Sequence, residues 1–233
     1  MTKFIAHRGL SSIYYQNSED AFLAAGKSDF FFGMETDVWL TADGKWVCCH
    51  DSHPFADLSV SIKKVTLEEA QKLPMDPMRK RGVDMQEDSY ICTLERYLEI
   101  NKEYNKVPVI ELKNIPNDEE LKGLIEIVRD MVGLDKAIFI SFHFTNIERI
   151  LKFAPEATGQ VLCSYPIQAR HYAKKGYDVD QMFLYAYPWV KNYVHKKGRE
   201  INVWTVNSKF MANQFEKHEF DYVTTDCDFS NND

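Results

Sequence analysis

The sequence contains few cysteines, and their positions do not form pairs. Of the five, Cys48 and Cys49 are adjacent, whereas Cys92, Cys163 and Cys227 lie far apart with no Cys-x-x-Cys spacing. Small secreted domains that depend on disulfides carry an even number of cysteines at regular spacings, so this class of protein is not indicated. An odd number of scattered cysteines is typical of reduced thiols, and we expect the protein to lie in the cytoplasm.

Long apolar runs and an excess of positive charge are also absent. No stretch approaches the roughly 18 unbroken apolar residues of a membrane-spanning helix, and the start of the chain lacks the apolar core of a signal peptide. We therefore expect no stable membrane insertion. Lys and Arg together number 28 against 35 Asp and Glu, and the resulting net charge of -7 argues against a nucleic-acid partner.

The chain has no repeat, low-complexity tract or linker that would divide it. Its length of 233 residues and its hydrophobic content of 45% are sufficient for one domain with a sizeable core. We therefore expect residues 1–233 to form a single domain. The sequence indicates no particular oligomeric state.

Short apolar runs alternate regularly with helical segments along the chain. Eight runs are predicted as strands, at residues 3–6, 33–40, 107–113, 137–142, 158–164, 181–187, 201–207 and 221–226. The helix after the fourth strand is predicted to start at Thr145, with a capping box to Glu148. Alternation of this kind produces parallel strands with crossover helices, and eight such units predict an α/β fold, the (β/α)8 TIM barrel. A doubly wound open sheet is the alternative.

The second strand is followed by an irregular segment. Residues 45–50 are predicted to form a hairpin arm on that strand, and residues 51 to about 92 form a small insertion where connections are normally short. The insertion contains a helical piece that begins near Thr66, and a crossover helix begins near Thr93. We expect the first piece and its loops to lie over one mouth of the barrel.

The strand at 33–40 carries two acids on one face. Side chains alternate along a strand, so Glu35 and Asp37 point to the same side, opposite to Met34 and Val38. A buried carboxylate without a partner is costly. These acids therefore require a counter-charge, water or a metal ion.

Further polar side chains lie at the carboxyl ends of the predicted strands, where the functional residues of a TIM barrel are found. Together with the two acids, the set is His7, Arg8, Glu35, Asp37, His50, Asp51, Glu111, Lys113, Ser141, His143, Trp204 and Asp226. Carboxylates that converge from adjacent strands form an all-oxygen site suited to Mg²⁺ or Ca²⁺. A Lewis acid, an acid–base pair of histidines and nearby positive charge are the components needed to hydrolyse a phosphodiester.

Six motifs occur in order along the chain. They are "HRG" at 7–9, "NSEDAF" at 17–22, "METDVWLTADGKWVCCHD" at 34–51, "CTLERYL" at 92–98, "IELK" at 110–113 and "WTVN" at 204–207. This order and spacing resemble the glycerophosphodiester phosphodiesterase family over nearly the whole chain. The resemblance implies a TIM barrel that cleaves a small-molecule partner, a glycerophosphodiester, into glycerol 3-phosphate and an alcohol.

The resemblance also implies roles for individual residues and one divalent cation, Mg²⁺ or Ca²⁺. The residues are the catalytic His7 and His50, the metal ligands Glu35, Asp37 and Glu111, and the substrate-binding Arg8, Lys113 and Trp204. Arg8 and Lys113 would contact phosphate, and Trp204 would pack against glycerol. Which histidine is the acid and which the base stays open.

The chain departs from the family pattern in the first loop, where Gln16 stands in place of a glutamate that normally supports the site. Two alternative functions remain. One is a lysophospholipase D or sphingomyelinase D-like lipid phosphodiesterase, which would show an exposed apolar rim near the mouth of the barrel. The other is a non-catalytic phosphodiester-binding barrel, which Gln16 keeps open.

Overall fold

A computed structural model describes residues 1–79 and 89–230, and the strands of this part of the chain form one sheet. The strands are β1 (Lys3–Ala6), β2 (Gly33–Leu40), β3 (Trp46–Cys48), β4 (Cys92–Thr93), β5 (Val107–Leu112), β6 (Ile138–Ser141), β7 (Thr158–Cys163), β8 (Asp178–Met182), β9 (Ile201–Trp204) and β10 (Tyr222–Thr225). All except β3 and β4 are parallel, and β1 pairs with both β10 and β2. This pairing closes the sheet into a (β/α)8 TIM barrel, as predicted, and excludes the open sheet.

Helices follow the barrel strands and surround them. They are α1 (Glu19–Lys27), α2 (Leu67–Ala70), α3 (Leu94–Glu103), α4 (Asp118–Met131), α5 (Phe144–Phe153), α6 (Pro166–Lys174), α7 (Pro188–His195) and α8 (Lys209–Lys217). Side-chain caps fix several of their starts, as at α4, where Asn117 and Glu120 form a capping box. No described helix combines the length and the apolar character needed to cross a bilayer.

Several predicted boundaries are wrong, among them the end of the strand expected at 201–207, which stops at Trp204. The sixth barrel strand was expected at 181–187, but β8 runs from Asp178 to Met182 and is followed by a 3-10 turn. The sequence did not predict this strand because its two acids, Asp178 and Asp180, are typical of loops. In the structure Asp180 is buried in the barrel interior. Helix α5 begins at Phe144 rather than Thr145, and its cap residue His143 makes no side-chain cap bond, so the capping box to Glu148 does not form.

The barrel interior combines an apolar cluster with polar groups at its carboxyl mouth. The cluster is drawn largely from strand residues and consists of Ile5, Val109, Ile138, Ile140, Leu162 and Tyr222. Because side chains alternate along a strand, the position two residues after each of these faces the interior again, closer to the mouth. On β1 and β5 that position holds His7 and Glu111, so the strand pattern itself brings ionisable groups to one end of the barrel.

The segment between β3 and β4 packs beside the mouth. Strand β3 pairs antiparallel with β2, so the predicted hairpin arm is confirmed. The segment has its own small apolar core, to which Tyr15 of the loop after β1 contributes, and the Tyr15 hydroxyl donates to the Asp76 carbonyl at 3.1 Å. The predicted helical piece appears as α2, capped by Thr66. Part of the expected insertion, residues 80–88, lies outside the described residues.

Gly9 is the tightest point of the loop that carries His7 and Arg8. Its φ is +75°, and a Cβ at this position would lie 2.6 Å from the carbonyl carbon of Ala21 in α1. We expect Gly9→Ala to destabilise the fold by about 3 kcal/mol or more, because backbone strain adds to a clash with backbone atoms. Urea unfolding measures this change. Gly123→Ala in α4 is the control, since a Cβ at this position would have no described atom outside its helix within 4 Å. Equal urea midpoints for the two variants would contradict the prediction.

Candidate active site

The predicted site residues gather around one cavity of about 60 Å³ at the carboxyl ends of the strands. Its lining consists of His7, Arg8, Glu35, His50, Glu111, Lys113, Ile140, Phe142, Leu162, Asp180, Trp204 and Thr224. Seven of the eight residues assigned from the sequence are in this set. The eighth, Asp37, is fully buried behind the lining and contacts Arg8 and Lys113.

Three carboxylates form the centre of the site. Asp37 on β2 and Glu111 on β5 are directly paired in the sheet register, and Glu35 lies two residues before Asp37 on the same face. One oxygen from each of the three lies within 4.8 Å of the others, and all three side chains are buried. Burial, together with the charge of Asp37, raises the pKa of Glu35 and of Glu111 above the usual range. Glu35 and Glu111 therefore lack enough nearby positive charge to offset the cost of burying their ionised forms.

Two cations partly compensate these acids. The Arg8 Nε lies 3.0 Å from Asp37 Oδ2, and the Arg8 backbone N–H donates to Glu35 Oε2 at 3.0 Å. Lys113 Nζ lies 3.3 Å from Asp37 Oδ1 and 2.9 Å from Glu111 Oε1. Burial alone would raise the pKa of Asp37, but Arg8 and Lys113 outweigh it and hold that pKa well below its usual range.

The donor set fits a hard divalent cation. Carboxylate oxygens are the ligands that Mg²⁺ and Ca²⁺ prefer, and three of them converge here in a buried site. Asp37 Oδ1 has no hydrogen-bond donor among the described residues, although Lys113 is within ion-pair distance. Three acids against two cations leave a net negative charge, which a divalent cation would reverse. The structure thus contains a group of residues able to hold such an ion.

The residues that hold Asp37 and Arg8 in place were not identified as site residues from the sequence. Asn17 Nδ2 donates to Asp37 Oδ2 at 2.9 Å, and its Oδ1 accepts from the Thr36 hydroxyl at 2.9 Å. Asn17 has φ +58°, a conformation that Asn tolerates better than most residues. Gln16 accepts from Arg8 Nη1 at 2.6 Å. It therefore orients Arg8 as an acid could, without adding another negative charge.

His7 is held by a carboxylate on the last strand. Its Nδ1 lies 2.6 Å from Asp226 Oδ1, and Asp226 also accepts from the Ser11 hydroxyl at 2.9 Å and from Asn207 Nδ2 at 2.6 Å. Burial and the neighbouring Arg8 lower the pKa of His7, against the opposing effect of Asp226. His7 is therefore neutral at pH 7, with one ring nitrogen fixed and the other free to exchange a proton.

His50 lies opposite, on the arm after β3. Its Nδ1 lies 2.9 Å from Asp51 Oδ2, and its carbonyl accepts from Trp39 Nε1 at 3.2 Å. Both histidines of the site thus have Nδ1 beside a carboxylate. Unlike His7, His50 is only half-buried.

Trp204 forms the apolar wall of the cavity with Phe142. The two rings meet edge to face with centroids 5.6 Å apart, and Trp204 Nε1 donates to the Asp180 carbonyl at 3.2 Å. Of the other residues singled out at strand ends, Ser141 is a buried structural residue that bonds the Leu112 carbonyl, and His143 is exposed at the start of α5. Neither lines the cavity.

Comparison with known proteins gives consistent results. Residues 7–227 match the model of the glycerophosphoryl diester phosphodiesterase family. A glycerophosphodiester phosphodiesterase of Caldanaerobacter subterraneus is 28% identical, over 97% of this chain and 94% of the relative. One from Bacillus altitudinis is 29% identical, over 90% of this chain and 88% of the relative.

Solved structures agree in fold. A phosphodiesterase of Oleispira antarctica, solved in complex with the product sn-glycerol-3-phosphate, superposes with a TM-score of 0.81 at 21% identity, covering 97% of this chain and 93% of that one. A glycerophosphodiester phosphodiesterase from Parabacteroides distasonis gives 0.77 at 26% identity, covering 97% and 92%. The barrel, the motifs and the family match cover the same residues, and the chain therefore belongs to the glycerophosphoryl diester phosphodiesterase family of hydrolases.

Proposed function

We propose that the protein hydrolyses glycerophosphodiesters to glycerol 3-phosphate and an alcohol, with a divalent cation and two histidines. The observation that carries this proposal is the buried cluster of Glu35, Asp37 and Glu111 beside two cations and two histidines at one barrel mouth. The names of the relatives and of the solved structures are consistent with this substrate class. Metal dependence and the roles of the histidines are part of the proposal.

The charges of the site suit a phosphodiester, which carries a single negative charge. When all three carboxylates are ionised, as ligands of a cation must be, they and the two cations sum to one negative charge, and a bound divalent ion changes this to one positive charge. A phosphodiester monoanion would then bring the site to neutrality. In the proposal Glu35, Asp37 and Glu111 hold the ion, and Arg8 and Lys113 contact the phosphoryl oxygens.

When bound, Mg²⁺ or Ca²⁺ would supply Lewis-acid polarisation of a phosphoryl oxygen. Proton transfer is assigned to the histidines. In each, Nδ1 lies beside a carboxylate, Asp226 for His7 and Asp51 for His50, and this contact orients the ring for proton transfer. One histidine takes a proton from the attacking hydroxyl, and the other protonates the leaving alkoxide. Attack by water gives glycerol 3-phosphate directly, whereas attack by a hydroxyl of the glycerol half gives a cyclic phosphate that water then opens.

The proposal is tested by release of glycerol 3-phosphate from glycerophosphocholine and glycerophosphoethanolamine. The purified protein is assayed in EDTA, Mg²⁺ and Ca²⁺. We expect release with at least one cation and none in EDTA. The reason is that Arg8 and Lys113 compensate only part of the charge of the three buried carboxylates, and EDTA removes the divalent ion that would compensate the rest. Undiminished release in EDTA would contradict metal dependence. No release under any condition, with binding retained, would favour the phosphodiester-binding barrel.

One observation supports a second candidate, a lipid phosphodiesterase that acts on lysophospholipids. The loops after β6, β7 and β8, neighbours in the barrel, expose a row of large apolar side chains at the mouth. The row consists of Phe142, Tyr165, Ile167, Leu184, Tyr185, Tyr187 and Trp189. Adding lysophosphatidylcholine to the same assay separates the candidates, because only an enzyme that accommodates an acyl chain will release choline or lysophosphatidate from it.

We further propose a cytoplasmic location and a single domain. All five cysteines are free thiols, which is consistent with a reducing compartment. The described strands belong to one sheet, which supports the single domain.

A further inference from the structure

Asp180 is a buried acid inside the barrel that the proposed reaction does not use. It lies in the middle of β8, paired in register with Leu162 on β7 and with Asn202 on β9. Its neighbour Val179 packs outward against the helices, so Asp180 faces the interior. The side chain is only 1% exposed, yet it lines the same cavity as Glu35, Glu111 and Trp204.

One carboxylate oxygen of Asp180 is fixed and the other is not satisfied. Asn202 Nδ2 donates to Asp180 Oδ2 at 3.3 Å, and Asn202 is itself held by Thr224 Oγ1 at 2.9 Å and by the Val203 N–H at 2.8 Å. Asp180 Oδ1 has no hydrogen-bond donor among the described residues. Buried polar oxygens in folded proteins are nearly always paired, so this one is expected to receive a donor from whatever occupies the cavity.

The position of Asp180 selects the chemistry of that donor. The phosphoryl group belongs beside Arg8 and Lys113, which supply the positive charge that Asp180 lacks. The variable alcohol needs room to vary, whereas Asp180 is buried beside Leu162, its partner in the sheet register, and Ile140 of the same lining is buried as well. A neutral hydroxyl on the buried half of the substrate satisfies both conditions. Trp204 lies next to Asp180 in the cavity lining, because its Nε1 donates to the Asp180 carbonyl.

We propose that Asp180 Oδ1 accepts a hydrogen bond from a hydroxyl of the glycerol half and so sets the preference for glycerol-containing diesters. The inference rests on the proposed function and adds the residue that recognises the glycerol. No metal ligation is involved, because the described cluster able to hold an ion consists of Glu35, Asp37 and Glu111.

The test compares a substrate that contains glycerol with one that lacks it. Asp180→Leu is expected to lower kcat/KM for glycerophosphocholine about 10- to 100-fold, the cost of leaving one buried hydroxyl of the substrate without its hydrogen-bond partner. Hydrolysis of bis(p-nitrophenyl) phosphate, which has no glycerol, is expected to change less than about twofold by the same reasoning. Asp180→Asn retains an acceptor oxygen and should lose less than Asp180→Leu. An equal loss on both substrates, or no loss on either, would overturn the inference.

A matched control and a binding measurement keep the test independent of folding and of turnover. Gln160→Met removes an equally buried polar group from the neighbouring strand β7, where Gln160 is outside the cavity lining, and should leave both activities unchanged. Calorimetry with Mg²⁺ present should show weaker binding of glycerol 3-phosphate to Asp180→Leu but unchanged binding of inorganic phosphate. If the unmodified protein hydrolyses neither diester, the proposed function fails. Weaker binding of glycerol 3-phosphate but not of inorganic phosphate to Asp180→Leu would still support the role of Asp180.

Discussion

Glu35→Gln is expected to lower metal-dependent hydrolysis by at least about 10³-fold, because the change removes a charged ligand of the cation that, in the proposed mechanism, polarises the phosphoryl oxygen. Gln has nearly the same shape as Glu, and its amide oxygen can still accept from the Arg8 N–H that now donates to Glu35 Oε2 at 3.0 Å. The loss should appear in kcat/KM for glycerophosphocholine at saturating Mg²⁺ or Ca²⁺.

The same substitution should separate metal binding from stability. Glu35 is buried beside Asp37 and Glu111, and the pKa of Glu35 is raised well above its usual range by burial and by Asp37. In EDTA, a neutral Gln removes this repulsion, so the melting temperature should stay equal or rise. The increase in melting temperature that the cation produces in the unmodified protein should vanish. Glu103→Gln, an exposed acid on α3, is the control and should behave like the unmodified protein. A large loss of stability in EDTA would show that Glu35 is mainly structural.

His7→Gln is expected to lower kcat/KM by about 10²- to 10⁴-fold, the usual contribution of a positioned general acid or base. The cation and the phosphoryl contacts do not pass through His7, so the affinity for the metal ion should remain. Retained metal binding with lost turnover would distinguish this variant from Glu35→Gln. Burial and Arg8 lower the pKa of His7. At pH 7 the substitution therefore replaces a neutral imidazole.

A third histidine–aspartate pair, outside the cavity, provides the control. His195 Nε2 lies 2.8 Å from Asp221 Oδ2, a contact similar to that between His7 and Asp226, but neither residue lines the active-site cavity. His195→Gln should leave hydrolysis unchanged. Equal losses in the two variants would mean that such pairs act through stability, and His7 would then have no special part in the chemistry.

The sequence predicted the elements whose pattern is local. Strand β2 was placed at its observed bounds, because it begins at Gly33, its apolar residues alternate and a turn follows Leu40. The start of α4 carries an equally local signal, because Asn117 and Glu120 cap it through contacts three residues apart. The cluster of acids could be anticipated for a related reason, since the closing of parallel strands brings their carboxyl ends together.

Contacts across the barrel could not be predicted in the same way. Asp180 reads as a loop residue, and only the closed ring shows that it faces the cavity beside Glu111 and Trp204. Gln16 could be recognised as a departure from a pattern, but its bond to Arg8 depends on how the loop after β1 folds over the mouth. Such contacts join residues whose spacing in the chain follows neither the helix nor the strand periodicity, so no sequence pattern predicts them.

The contact between His7 and Asp226 joins the first and last strands of the barrel across 219 positions of the chain. A ribosome releases β1 early and β10 late, so a growing chain contains the histidine long before the aspartate that orients it. Ring closure through β1 and β10 and completion of this pair are therefore one event. Partly synthesised chains contain the proposed metal ligands of β2 and β5 but not an oriented His7, so the proposed reaction can begin only when translation has passed residue 226.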